Sequence, residues 1–179
     1  HGHKGTFGKG LFVAGSREMP GACMLGSKAA MRSGLGMLYV FTHKEVKPYL
    51  INYLPESICK SYDAVDANAL DTLSQLLAMT DAVAIGPGLG TADGSQTLVK
   101  MVVSAASEGK LLLDADALNI VAADNKLMES LPSNTIITPH PAEFQRLFGK
   151  CANRMEMIDK QMEMAKKYNM GACVRKMLS

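Results

Sequence analysis

Short apolar runs alternate with helical patterns along almost the whole of this 179-residue chain. Runs at 10–14, 37–41, 82–85, 110–113 and 135–138 predict strands, and they are continuously apolar, as strands buried on both faces are. Helical patterns follow most of these strands. The alternation predicts an α/β fold of three layers, α/β/α, in which a mainly parallel sheet carries helices on both faces.

The predicted helices share an apolar stripe at helical spacing. They cover 21–32, 70–79, 96–106, 117–123 and 142–148, and a last helix is expected from the stripe Met155, Ile158, Met162 and Ala165. Pro48 predicts a break in a further short helix, and another strand is expected after Pro55. We expect residues 1–179 to form one domain, since a chain of this length can bury a sizeable core.

Charge and cysteine content argue against several classes of protein. The net charge is only +2, with lysine and arginine scattered along the chain, so neither nucleic acid nor a membrane surface is an expected partner. Apolar stretches are far shorter than a membrane span. The four cysteines, Cys23, Cys59, Cys151 and Cys173, form no C-x-x-C pair, which favours reduced thiols and a cytoplasmic protein.

Four short segments that contain glycine, histidine or acidic residues follow one another in order along the chain. They are His-Lys-Gly-Thr-Phe-Gly (3–8), Gly-Pro-Gly-Leu-Gly (86–90), Leu-Asp-Ala-Asp-Ala-Leu-Asn (113–119) and Thr-Pro-His-Pro-Ala-Glu (138–143). The last three each follow a predicted strand. In parallel sheets, ligands bind beyond the carboxyl ends of the strands, so these segments should meet at one edge.

The glycine-rich segment 86–90 has the composition of a ligand-binding loop. Glycine adopts positive φ and lets a ligand approach the backbone N–H groups, which suits a phosphate or a planar amide. The segment is neither the dinucleotide G-x-G-x-x-G pattern nor a P-loop. A plain turn between a strand and a helix explains it equally well.

His140 lies between two prolines that restrict the backbone on both sides. A histidine held rigidly at a strand end can hydrogen-bond a ligand, with Glu143 nearby. The alternative is a helix-capping loop in which the histidine is incidental.

Polar residues also follow the strand at 110–113. Asp114, Asp116 and Asn119 could hold Mg²⁺ through water or orient a ligand, although helix capping by aspartate is an equally simple explanation. Lys4, in a glycine-containing segment, could contact phosphate, but a flexible terminus explains that segment as well.

Taken together, these segments resemble the ADP- or ATP-dependent NAD(P)H-hydrate dehydratases of the ribokinase-like superfamily. The matching pieces run from about residue 3 to 170: His-Lys-Gly (3–5) with Gly8, Ala-Gly-Ser (14–16), Gly-Ala (21–22), Arg-Ser-Gly-Leu-Gly (32–36), Pro-Glu (55–56), Gly-Pro-Gly-Leu-Gly (86–90), Asp-Ala-Asp-Ala-Leu-Asn (114–119) and Thr-Pro-His-Pro-Ala-Glu (138–143). The resemblance implies a ribokinase-like fold. It also implies a repair reaction in which hydrated NADH or NADPH is phosphorylated on its ring hydroxyl by ADP or ATP and then loses phosphate.

The resemblance also assigns roles to particular residues. It implies that Ala22, Gly88 and His140 contact the hydrated dinucleotide. Asp114, Asn119 and Glu143, with Lys4, would then lie near phosphate and Mg²⁺. Family members are usually oligomeric, so the resemblance allows a homo-oligomer.

The sequence departs from the family pattern at its C-terminal end. Family members continue into a Leu-Lys-Gly-Ala-like strand and a Gly-x-Gly-Asp segment, whose aspartate acts as the base, and this sequence contains neither. We therefore assign no catalytic residue, and we expect a domain incomplete at its C-terminus with little or no turnover.

The sequence also allows two other interpretations of its function. The chain could be a non-catalytic remnant that binds dinucleotide or joins mixed oligomers. It could also be another ribokinase-like small-molecule kinase, although the segments at 86–90 and 138–143 favour the dehydratases.

Overall fold

The computed structural model describes residues 7–172 and contains one seven-stranded parallel sheet, as the alternation of strands and helices predicts. The strand order is β3-β2-β1-β4-β5-β6-β7. The strands are β1 (Lys9–Val13), β2 (Met37–His43), β3 (Ile58–Tyr62), β4 (Ala82–Ile85), β5 (Leu111–Leu113), β6 (Ile136–Ile137) and β7 (Gly171–Ala172).

Helices connect the strands almost throughout. They are α1 (Pro20–Arg32), α2 (Lys47–Tyr53), α3 (Ala67–Met79), α4 (Asp93–Ala105), α5 (Asp116–Ala122), α6 (Asn125–Glu129), α7 (Pro141–Phe148) and α8 (Arg154–Lys167). The sequence patterns predicted neither the short helix α6 nor the two-residue strand β7. The predicted break at Pro48 is wrong: Pro48 lies in the first turn of α2, where its missing N–H has no helical acceptor to lose.

Helices pack on both faces of the sheet, so the predicted three-layer arrangement is confirmed. On one face, alternate residues such as Leu11 and Val13 pack with α3, α4 and α5. On the other face, Phe12 and Ala14 pack with α1 and α2. Within residues 7–172, this second face is partly open over β4 to β6, where a groove of about 340 Å³ runs along the sheet.

The strand order reverses between β1 and β4. From β1 the chain adds β2 and β3 on one side, and then crosses back to place β4 on the other side of β1. Loops that leave such a point in opposite directions open a crevice at the carboxyl ends of the strands. Here the two loops are in contact, because the Gly15 N–H donates to the Pro87 carbonyl at 2.9 Å.

The last predicted helix is present as α8, but most of its apolar stripe is exposed. Met155 is 69% exposed, Ile158 41% and Met162 55%. The pattern therefore predicted the helix correctly but did not identify a buried face within residues 7–172. Over that same range, none of the helices has both the length and the apolar character that crossing a bilayer requires.

Candidate functional site at the carboxyl edge of the sheet

Gly88 and Ala22 lie against each other at the strand-order reversal. Gly88 follows β4 and has φ +65°, and a Cβ added there would stand 2.8 Å from the Ala22 Cβ on α1. It would also stand 2.9 Å from both the Cβ and the carbonyl oxygen of Met19. Only glycine fits this space without a shift of α1 or the loop. The fold thus brings together two residues that are 66 positions apart and that the sequence analysis assigned to one ligand.

The glycine loop, residues 86–90, is held by hydrogen bonds from three separate elements. The Pro87 carbonyl accepts from the Gly15 N–H after β1, and the Leu89 carbonyl accepts from the Ser95 hydroxyl of α4 at 2.9 Å. The Gly90 N–H donates to the Asp116 carboxylate at 2.8 Å. None of these three bonds uses the Gly88 N–H.

The turn after β5 packs directly against the glycine loop. A Cβ on Gly86 would lie 1.8 Å from the Asp114 carbonyl oxygen, so no side chain can be accommodated there. Asp114 itself is buried, and its carbonyl accepts from the Ala117 N–H at 3.2 Å. Between them Ala115 has φ 49° and ψ −118°, the first central position of a type II′ turn, which normally takes glycine.

His140 and Glu143 form a reciprocal cap at the start of α7. The His140 Nδ1 accepts from the backbone N–H groups of Ala142 at 3.1 Å and Glu143 at 3.4 Å, and the Glu143 carboxylate accepts from the His140 N–H at 2.9 Å. The His140 Nε2 also lies 3.2 Å from the second oxygen of that carboxylate. Helix capping, the simpler alternative for His140, therefore describes its contacts. Its ring is still 47% exposed, which leaves an edge available to a ligand.

Asn119 joins α5 to α7. Its Oδ1 accepts from the Arg146 guanidinium at 2.8 Å. Arg146 was missed in the sequence analysis, because nothing in the spacing between positions 119 and 146 indicates that α5 and α7 are neighbours. The bond places one arginine at the edge of the site, on the same helix that His140 caps.

The predicted site residues thus fall into two groups of contacts. Gly88 and Ala22 form one, and His140 and Glu143 form the other. No hydrogen bond within residues 7–172 joins the two groups directly. Helix α5 contacts both, through Asp116 to the glycine loop and through Asn119 to α7. Lys4 lies outside the described residues.

Behind the loop after β1 lies a buried cysteine. A Cβ on Gly15 would meet the Cys23 Cβ at 2.7 Å and the Thr42 hydroxyl at 3.0 Å. Burial raises the pKa of the Cys23 thiol, although the nearby hydroxyls of Thr42 and Ser27 oppose the shift. Cys23 is therefore a protonated packing residue rather than a nucleophile. Cys23, Cys59 and Cys151 are free thiols, as the sequence spacing predicts, and Cys173 lies outside the described residues.

The carboxylates of this edge do not form a cage for a metal ion. Among residues 7–172, no three His, Cys, Asp or Glu side chains are grouped as metal ligands. The Glu143 carboxylate, moreover, is already engaged at the start of α7. This arrangement is compatible with Mg²⁺, which is commonly held by one or two protein carboxylates together with substrate phosphates.

Comparison with known proteins supports one family. The family model described as NAD(P)H-hydrate dehydratase matches residues 11–175. The chain belongs to the NAD(P)H-hydrate dehydratase family. The ADP-dependent (S)-NAD(P)H-hydrate dehydratase of Bacillus subtilis is 37% identical over 172 residues, which cover 93% of this chain and 55% of that relative.

Solved structures of similar proteins agree with this family and with the fold. The ADP/ATP-dependent NAD(P)H-hydrate dehydratase of Bacillus subtilis, co-crystallised with ATP/Mg²⁺, matches with a TM-score of 0.77 and 31% identity, covering 98% of this chain and 60% of that one. A ribokinase-like superfamily protein of Enterococcus faecalis matches with a TM-score of 0.81 and 23% identity over 98% of this chain and 60% of that one, which bears on the fold alone. The expected ribokinase-like fold is confirmed. The chain spans 55% of the length of the Bacillus relative and 33% of a bifunctional relative.

Proposed function

We propose that this chain binds hydrated NADH or NADPH at the carboxyl edge of its sheet, as part of an enzyme that restores the normal reduced dinucleotide with ADP or ATP. Membership of the NAD(P)H-hydrate dehydratase family supports the reaction type. One structural observation carries the location. Gly88 and Ala22 meet at the strand-order reversal, where a side chain on Gly88 would collide with α1.

Several residues of this edge would contact the hydrated dinucleotide. Gly88 and Ala22 pack against each other, and because neither carries a large side chain, a flat, polar ring would approach the loop backbone from the side that α1 does not occupy. The exposed ring of His140 would contact the same ligand, and its Nε2 would bond that ligand in place of the Glu143 carboxylate. In the family reaction the ring hydroxyl takes a phosphoryl group from ADP or ATP, and loss of phosphate with a ring proton restores the double bond. Such a transfer depends chiefly on positioning and on stabilising charge.

The nucleotide would bring most of the ligands for Mg²⁺ with it. A bound Mg²⁺ would neutralise phosphate charge, and Asp114 and Glu143 are the carboxylates of this edge that could approach it. Asn119, beside Arg146, and Lys4 complete the proposed phosphate neighbourhood. A homo-oligomer, a single domain over residues 1–179 and a cytoplasmic location stay predictions.

Binding can be tested with one blocking variant and one matched control. In Ala22→Leu the larger side chain extends toward Gly88 from α1. In Ala29→Leu the same change is made at an exposed position of the same helix. Isothermal titration of each purified protein with hydrated NADH, and with ordinary NADH as a second ligand, measures the effect.

We expect the wild type and Ala29→Leu to bind hydrated NADH, and Ala22→Leu to lose about tenfold or more in affinity, because the larger leucine would push the glycine loop away from α1. Equal binding by all three proteins would place the dinucleotide elsewhere. A wild type that prefers ordinary NADH would refute a site for the hydrated form. Turnover with ADP or ATP, assayed separately, tests the proposed reaction.

A further inference from the structure

The Asp116 carboxylate bonds directly to the glycine loop. Asp116 is the first residue of α5, and its Oδ2 accepts from the Gly90 N–H at 2.8 Å across 26 residues of sequence. It does not cap its own helix, because the residue at the capping position is Ala115 and no side chain serves as a cap there. Helix capping therefore does not account for this carboxylate.

The backbone before Asp116 adopts an unusual conformation. Ala115, at φ 49° and ψ −118°, is in a region that costs an alanine on the order of 1–3 kcal/mol. This turn brings the Asp114 carbonyl against Gly86, at one end of the loop. It also sets the start of α5 so that Asp116 reaches Gly90, at the other end of the loop. The β5–α5 turn thus contacts the glycine loop at both of its ends.

The Asp116 carboxylate is the acceptor of the Gly90 N–H. Gly90 has φ +76° and carries no side chain to pack, and a Cβ added there would find only the Ser95 hydroxyl, 4.0 Å away, whereas the preceding Leu89 is buried and its carbonyl accepts from Ser95. The other end of the loop is packed tightly against Asp114 and Met19. A hydrogen bond from a backbone N–H to a charged carboxylate is about twice as strong as one between neutral groups.

We propose that Asp116 is a positioning residue for the dinucleotide site. Its carboxylate holds the Gly90 N–H, and thereby keeps the loop in the conformation that places Gly88 beside Ala22. Asp116 would act on the ligand only through the loop, and it takes no part in the chemistry. The part of this inference that concerns substrate rests on the function proposed above.

The test compares three variants. Asp116→Ala removes the acceptor, whereas Asp116→Asn keeps a neutral oxygen that can accept the same bond. Asp81→Ala is the matched control: the Asp81 carboxylate accepts from the Lys9 N–H at 2.7 Å, the same kind of bond, but near the amino ends of β1 and β4. If Asp116→Ala does not fold, Asp116→Glu replaces it, since it keeps the charge at the start of α5 and displaces the carboxylate by one methylene.

The first readout needs no ligand. Amide hydrogen exchange of the free proteins should show that Gly90 exchanges about tenfold faster or more in Asp116→Ala, since its charge-assisted bond is lost. Asp116→Asn should show a smaller change, and Asp81→Ala should leave Gly90 as in the wild type. Unchanged Gly90 exchange in Asp116→Ala would overturn the proposal.

The second readout is the affinity for hydrated NADH. We expect Asp116→Ala to bind about tenfold more weakly, with Asp116→Asn restoring most of the affinity and Asp81→Ala binding like the wild type. Wild-type affinity in Asp116→Ala, with a loosened loop, would overturn the link to substrate. If the wild type bound no hydrated NADH, the proposed function would fail, and the exchange data would still decide whether Asp116 holds the loop.

Discussion

Replacing Gly88 by alanine should destabilise the chain strongly. Two costs combine there. The left-handed backbone, at φ +65°, costs an alanine about 1–2 kcal/mol. The new Cβ would stand 2.8 Å from the Ala22 Cβ and 2.9 Å from the Met19 carbonyl oxygen, and relieving such overpacking typically costs about 1–3 kcal/mol. We therefore expect a loss of about 2–5 kcal/mol in the free energy of unfolding.

Gly109 provides a matched control for the backbone cost. It has φ +68°, almost the same as Gly88, but its added Cβ would lie 3.9 Å from the Asn134 Cβ, an ordinary contact. Gly109→Ala should therefore lose only the backbone part, about 1–2 kcal/mol. The difference between the two variants, about 1–3 kcal/mol, measures the contact with α1.

Urea denaturation followed by far-ultraviolet circular dichroism suits this comparison, because the chain contains no tryptophan. Equal losses in Gly88→Ala and Gly109→Ala would refute the argument that the glycine loop is closely packed on α1. Titration with hydrated NADH then separates stability from binding. Gly88→Ala should bind weakly even under conditions in which it is fully folded, whereas Gly109→Ala should bind like the wild type. Normal binding by folded Gly88→Ala would remove Gly88 from the site.

Three further outcomes can be checked independently. Glu143→Ala removes the acceptor of the His140 N–H at 2.9 Å and should cost about 1–2 kcal/mol in urea denaturation, with Glu143→Gln losing less; equal stability would contradict the capping geometry. Burial raises the pKa of Cys59 to about 11 from a usual value of 9.0. Alkylation of Cys59 at pH 8, measured by mass spectrometry, should therefore be about a hundredfold slower in the folded protein than in the unfolded chain, because the thiolate is the reactive form. Equal alkylation rates would be inconsistent with the raised pKa. The pKa of Asp124 is lowered chiefly by a hydrogen bond from the Leu127 N–H. The Asp124 carboxylate should therefore stabilise the fold above pH 3.8, and this stabilisation should be lost as the pH falls through the lowered pKa of the folded state. If urea denaturation shows the same acid dependence in Asp124→Asn as in the wild type, the reasoning is wrong.

The sequence was sufficient to predict the layers of the fold because each strand is marked by its own short apolar run. An apolar run such as Val83 to Ile85 lies between helical patterns and before glycine, and it is a strand whichever neighbours it pairs with. Pairing order carries no such local signal. That β4 pairs with β1 rather than with β3 follows from a crossover after α3, and only the structure shows it.

Very short elements were missed for a related reason. Helix α6 has five residues, begins at the Asp124 cap, and is too brief to show a period. The strand β7 has two residues and pairs with β6. The break predicted at Pro48 was wrong because the sequence alone did not locate the start of α2. Proline breaks a helix in its interior but is favourable in the first turn, where Pro48 lies.

The site shows the same division between local and distant signals. Glycine marks its own positions, because residues 86, 88 and 90 all have positive φ, a conformation that favours glycine. Ala115 has positive φ as well, but an alanine in a sequence does not indicate positive φ. The turn that brings Asp116 to Gly90 could therefore not be predicted from the sequence. An ordinary residue held in a costly conformation implies that the surrounding contacts outweigh the strain. Around Ala115 such contacts include the packing of the Asp114 carbonyl on Gly86 and the bond from the Gly90 N–H to Asp116, so the strained turn and the shape of the glycine loop are linked.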